Sequence, residues 1–140
     1  VTEGGRNYQT WRTPPDLYAK LDAEFGFDCD PVPIEPTQDG MCARWGRSVF
    51  LNPPYRDIPR WLRRAVGEWQ RGATVVALLP VRTDTAWFHD LVLGTGAEIR
   101  WVRGRLSFEG HAGDGRPRFA SMIVVWRGTA SAEHKGAVPA

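Results

Sequence analysis

The order of elements along the chain predicts a compact α/β domain whose sheet is mostly parallel, with antiparallel edge strands. Three observations predict it. The middle of the chain alternates strand, helix, strand, helix, strand, and then closes with strands only. Residues 74–79 form an unbroken apolar run, typical of a strand buried on both faces. The chain has 140 residues with 42% hydrophobic and 24% charged content, the size and balance of one ordinary globular domain. A single domain over 1–140 is expected, with 1–10 and 129–140 as loose tails.

The elements follow in order. Pro14 and Pro15 suit a first helical turn, and Thr13 can cap it. Leu17, Leu21 and Phe25 recur at helical spacing, so residues 16–25 read as a short amphipathic helix ended by Gly26. Residues 27–32 read as a strand running into Pro31. Pro33, Pro36 and Gly40 punctuate an irregular stretch over 33–48. Ser48-Val49-Phe50-Leu51 is a compact apolar strand, broken by Asn52-Pro53-Pro54 because proline cannot continue a central ladder. Residues 58–70 form the clearest helix, with Trp61, Leu62, Ala65, Val66 and Trp69 on one stripe and Arg60, Arg63, Arg64 and Arg71 opposite. A second helix is expected over 85–93, stopped by Gly94-Thr95-Gly96. Residues 99–102, 106–108 and 119–126 are the closing strands. Trp61, Trp69, Trp101 and Trp126 all fall on expected core faces.

Composition excludes several function classes. No apolar run approaches the ~20 residues of a membrane span, and Val1 to Arg6 lack the apolar core of a secretory signal. A soluble, cytoplasmic protein is expected, with no membrane partner. Cys29 and Cys42 lie thirteen apart with no neighbouring His pair, so neither a zinc pattern nor a disulfide framework is visible, and no metal is expected. The net charge of +2 hides an asymmetry: residues 1–40 carry three Lys or Arg against eight Asp or Glu, and the remainder fifteen against eight. An acidic start and a basic remainder fit a chain that handles a cationic small molecule and a polyanion, although plain surface scatter accounts for it as well.

Chemistry concentrates in Leu51-Asn52-Pro53-Pro54-Tyr55. Two prolines directly after a buried strand fix the backbone, so the Asn52 side chain and the Pro53 carbonyl are held in one arrangement. Both oxygens are acceptors. Aimed at one exocyclic amino group, they would accept its two protons and leave its lone pair directed at an electrophile. Tyr55 offers a flat face for a planar base, an interaction worth ~1–3 kcal/mol in comparable cases. Ligands in open α/β sheets gather at the carboxyl ends of the strands, which is where Asn52 and the 80–84 segment fall.

Asn-Pro-Pro-Tyr at a strand-to-helix junction resembles the catalytic loop of amino-group methyltransferases that use S-adenosylmethionine. The likeness extends through Trp11-Arg12-Thr13-Pro14, Glu24-Phe25-Gly26-Phe27-Asp28-Cys29-Asp30-Pro31, Val49-Phe50-Leu51-Asn52-Pro53-Pro54-Tyr55, Leu79-Pro80-Val81-Arg82-Thr83-Asp84-Thr85-Ala86-Trp87-Phe88-His89 and Gly104-Arg105-Leu106-Ser107-Phe108. In that order these stretches resemble the phage DNA N6-adenine methyltransferases of the Dam type, over roughly residues 8–126. The resemblance implies a truncated Rossmann-like methyltransferase sheet, DNA and S-adenosylmethionine as partners, and a flipped adenine. Asn52, Pro53 and Tyr55 would grip the base, with Pro54 keeping the loop shape. Thr13 and Pro14 resemble the wall of the cofactor's methionine end. Asp28 and Asp30, with Pro31 beside them, lie where related enzymes place acidic residues that attract the cofactor's positive charge. Their plainer role is a solvated turn. Larger relatives carry a glycine-rich turn after the first strand and further elements before the catalytic loop. Only twenty-one residues separate Asp30 from Asn52 here, so the cofactor half is compressed.

Around this centre, Arg82, Thr83 and Asp84 follow the buried strand; Thr83 or Asp84 can cap the next helix or contact DNA or cofactor. Trp87, Phe88 and His89 read as packing residues. Arg103, Arg105, Arg116 and Arg118 flank a glycine-rich hairpin over 110–115 that either contacts phosphates or is a solvated loop. Trp11 and Trp45 lie in loops near the site, where they either pack or stack on a nucleobase or the cofactor's adenine. A homodimer is compatible with so small a footprint. RNA adenine or protein-glutamine methylation uses the same loop chemistry, and a non-catalytic nucleic-acid-binding module is the alternative from another class.

Overall fold

The computed structural model describes residues 13–32, 44–106 and 119–129. Helix α1, Pro15–Phe25, opens with a proline whose missing amide is no loss in the first turn. Gly26 ends it in the left-handed region, its N–H donating to the Asp22 carbonyl at 2.7 Å. The cap expected from Thr13 is not made. Pro14 holds the cap position without a side-chain bond, and the Thr13 hydroxyl is engaged elsewhere.

The strand expected over 27–32 contracts to one parallel bridge, Cys29 to Val49. Proline at 31 has no N–H to give a ladder, and Asp30 Oδ1 instead accepts from the Val32 N–H. Strand β1, Ser48–Leu51, is buried along its whole length. A 3-10 turn, Tyr55–Asp57, leads into α2, Ile58–Gln70. Strand β2, Thr74–Pro80, is buried at every residue, as an unbroken apolar run requires.

The second helix differs from expectation in two ways. Thr85 rather than Thr83 or Asp84 caps it: Thr85 Oγ1 accepts from the Phe88 N–H at 3.3 Å and donates to the Arg82 carbonyl at 2.7 Å. Its body, Phe88–Leu93, is a wide π-helical turn closed by Gly94 N–H donating to the His89 carbonyl. A side chain at Gly94 would collide with the Asp90 carbonyl, so the wide turn needs glycine there. Strand β3, Glu98–Trp101, and strand β4, Ser121–Trp126, complete the sheet. Leu106 is not in a strand, and the rest of the strand expected over 106–108 lies outside the described residues.

The sheet order is β1-β2-β4-β3. β1 pairs parallel with β2, while β4 pairs antiparallel with both β2 and β3. The expectation of a mostly parallel sheet is therefore corrected: among these four strands one ladder is parallel and two are antiparallel. The reversed strand sits inside the sheet, between β2 and the edge strand β3. Local periodicity could not place it, because pattern reads burial and not partner.

Alternation divides the core. On one face Val49, Leu51, Val75, Ala77, Leu79, Met122, Val124 and Trp126 pack with α2 and the π-helical turn. On the other, Phe50, Val76, Leu78, Ile123 and Val125 pack against Leu21 of α1. Trp61 and Trp126 are buried as expected, and Trp69 is half-buried with its Nε1–H on the Arg127 carbonyl. Trp45 belongs to the core, stacked on Trp61 with the Arg64 guanidinium 4.6 Å from its ring. Trp101 contradicts the expectation of a core face and is 59% exposed, because β3 is the sheet edge. At that edge Arg100 holds Glu24 of α1 with two 2.7 Å bonds.

Phe50 is the centre of the α1 face, 1% exposed with Tyr18 edge-on at 5.1 Å. Phe50→Ala is expected to lower unfolding stability by about 3–5 kcal/mol in urea titration. Phe50→Leu should recover most of that loss, and an equal loss in both variants would contradict the packing argument.

Candidate active site

Five chain segments converge on one end of the sheet. β1, β2 and β3 run in the same direction, so residues after Leu51, Pro80 and Trp101 emerge at that end. β4 starts there. The Cys29 bridge is parallel to β1, which brings Asp30 and Pro31 to the same side. The carboxyl ends of such strands are where backbone turns can present side chains around a cleft.

Asn52 leaves β1 almost buried, 5% exposed. Its Nδ2 donates to Thr13 Oγ1 at 3.0 Å. Amide nitrogen and oxygen share one carbon and one plane, so this bond sets where the acceptor Oδ1 points. Oδ1 is itself buried. Pro53 is buried and Pro54 half-buried, and neither can rotate about φ. The loop then turns into the 3-10 segment that starts at Tyr55.

The Tyr55 ring sits edge-on to Phe119, centroids 5.3 Å apart. The Arg82 guanidinium carbon lies 5.9 Å from the Tyr55 centroid. Burial pushes the phenol pKa well above its ordinary value, the Arg82 charge opposing only in part. Tyr55 is therefore neutral at physiological pH and offers a ring with a buried hydroxyl, not a phenolate base. Ser121, the first residue of β4, is buried opposite Pro80, and its Oγ has no hydrogen-bond partner among the described residues.

The two acidic candidates separate. Asp28 lies at the amino end of β1, its carboxylate accepting from the Ser48 N–H at 3.0 Å and the Arg47 N–H at 3.3 Å. A side chain at Gly46 would strike that carboxylate, so glycine keeps room for it. Asp28 thus anchors the start of β1 and is not brought to the Asn52 end. Asp30 is. Desolvation pushes its pKa up to about 6 against a weaker opposing bond from the Val32 N–H. The residue is nevertheless exposed to solvent, so water screens much of that effect. Cys29 carries a free thiol between these carboxylates, its pKa raised mainly by burial.

Thr13 and Pro14 stand at the site through the bond to Asn52. Arg82, Thr83 and Asp84 are exposed just beyond β2, and the Thr83 carbonyl meets His89 Nε2 at 2.7 Å. Arg103 and Arg105 are exposed just beyond β3. Trp11, Cys42, Arg116, Arg118 and the 110–115 hairpin lie outside the described residues. Two features escaped sequence reasoning. The side-chain bond of Thr13 spans 39 positions, beyond any local motif. Phe119 read as the start of a strand, whereas it precedes β4 and faces Tyr55.

One loop thus carries the buried Asn52 amide, two prolines and the Tyr55 ring, with the Asp30 carboxylate just past the Cys29 bridge at the same end of the sheet. The chain belongs to the DNA N-6-adenine-methyltransferase (Dam) family, which residues 5–136 match. It is similar to a DNA N-6-adenine-methyltransferase of Escherichia phage T1, 30% identical over 110 residues, covering 69% of this chain and 46% of that protein. The chain spans about half the length of that relative. Among the described residues, no helix is long and apolar enough to cross a membrane.

Asp30 yields a pH prediction. Its folded pKa is raised above the ordinary 3.8 to about 6, so it favours the fold at low pH and penalises it as pH rises through that window. Asp30→Asn is expected to be the more stable protein at about pH 7, by on the order of 1 kcal/mol after solvent screening. The gap should close as pH falls toward 4 in thermal melts. A gap that is constant with pH would contradict a desolvated carboxylate.

Proposed function

We propose that this chain transfers a methyl group from S-adenosylmethionine to the N6 amino group of adenine in DNA. The observation that carries the reading is the Asn52 amide, oriented by Thr13 at the head of a two-proline loop, in a chain of the adenine methyltransferase family. Asn52 Oδ1 and the Pro53 carbonyl accept the two amino protons, which directs the nitrogen lone pair outward. No group has to remove a proton first, consistent with Tyr55 held neutral. The ring of Tyr55 stacks on the base, and Phe119 braces the ring from its edge. An amino group inside a duplex cannot reach this buried loop, so the adenine is flipped out of the stack.

S-adenosylmethionine, when bound, supplies the methyl group on a positively charged sulfur. The donor set fits a cation: Asp30 is an exposed carboxylate just past the Cys29 bridge at the Asn52 end of the sheet, and its charge would attract a positive ligand. Thr13, Pro14, Asp30 and Pro31 would line that side. Arg82 to Asp84 and the arginines after β3 would meet the DNA backbone.

The test incubates the protein with labelled S-adenosylmethionine and, separately, unmethylated DNA, RNA and a protein extract. Label is expected in DNA, at adenine. Asn52→Ala should lower the rate about 10²–10³-fold, the usual scale for removing one oriented polar group beside the reacting atoms. Label in RNA or protein instead would overturn the substrate, and calorimetry without cofactor binding would point to a non-catalytic module.

A further inference from the structure

We propose that Trp101 is a DNA-contacting residue that stacks on the duplex flanking the target adenine. This rests on the methyltransferase reading above. Trp101 lies on the apolar side of an alternating strand, Glu98-Ile99-Arg100-Trp101, yet it is 59% exposed, one of two large apolar side chains so exposed among the described residues. The other, Leu93, ends the π-helical turn. Trp101 closes β3 at the end of the sheet from which Asn52 and Arg82 emerge. Val102, whose N–H is tied to the Ser121 carbonyl, fixes the chain there. Gly104 turns it with φ +74°, and exposed Arg103 and Arg105 stand on either side of that turn. Neither arginine forms an ion pair among the described residues.

An indole beside two uncommitted guanidinium groups is the pairing a nucleic acid selects: phosphates take the cations and a base takes the ring. The placement says which part of the DNA. β3 is the third strand over from β1, a lateral offset of roughly 14 Å at ordinary strand spacing. That is on the order of a major-groove width. Trp101 is therefore no wall of the base pocket. It meets DNA beside the flipped nucleotide, as a stacking or wedging ring. Flanking sequence would then be sensed by this edge segment.

The test is duplex binding by fluorescence anisotropy over a series of salt concentrations, with methylation measured in parallel. Trp101→Ala should weaken binding roughly tenfold, the scale of one base–aromatic stack, with no change in salt slope. Trp101→Phe should recover most of the affinity. Arg103→Ala with Arg105→Ala should instead reduce the salt slope by about 0.9 for each phosphate left without its arginine. Because the indole is exposed, thermal melts of Trp101→Ala should match the unchanged protein. Unaltered DNA binding and methylation in Trp101→Ala would overturn the inference while leaving the methyltransferase reading intact. The same holds if the variant changes only self-association. Failure of the unchanged protein to methylate DNA would instead sink the underlying reading.

Discussion

Strand β2 is the constraint on which the other elements depend. All seven of its residues are buried, so its backbone groups must find partners inside the sheet and its side chains on both faces must be covered. β1 and β4 supply the partners, one parallel and one antiparallel. α2 and the π-helical turn cover one face and α1 the other. Once β2 is placed, the segments after β1, after β2 and before β4 have little freedom in where they surface. The site is the rim of this arrangement.

Rigidity at that rim comes from different sources on each side. The Asn52 loop is stiff because prolines restrict it and because Thr13 holds the amide from a distant part of the chain. The Asp30 side is stiff through a local turn and the parallel bridge at Cys29. Asp28, two residues earlier, spends its charge on the Arg47 and Ser48 amides where β1 begins. Similar acidic residues thus do different work, one in building the strand and one at its open end. Tyr55 is held by an aromatic edge and a burial that keeps its hydroxyl protonated. Such a centre has few soft torsions, which is the condition for polar groups to act without reorganising.

Much of this is legible in the residues, and the limits have physical causes. β1, α2 and β2 appear where periodicity puts them, because each combines an apolar pattern with a proline or glycine stop. The Asn-Pro-Pro-Tyr loop is legible for the same reason: its shape is encoded locally. Strand direction is not, since the position of β4 between β2 and β3 depends on non-local pairing. The cap at α1 differs from expectation because Thr13 has a better partner in Asn52, and the cap before the π-helical turn because Thr85 reaches it first. Trp101 departs from its expected core face because an alternating pattern marks a face without saying whether a neighbour covers it.

The edge strand β3 has a further consequence through its ion pairs. Among the described residues no strand pairs with its outer rim, and an unpaired rim is the usual route from a sheet edge to aggregation. The strand is only four residues long, and its Glu98 and Arg100 are committed to each other and, through Arg100, to Glu24. A second strand arriving there would have to disturb charges already matched. The protein can therefore display an indole at its border while matched charges beside it oppose strand addition at that edge.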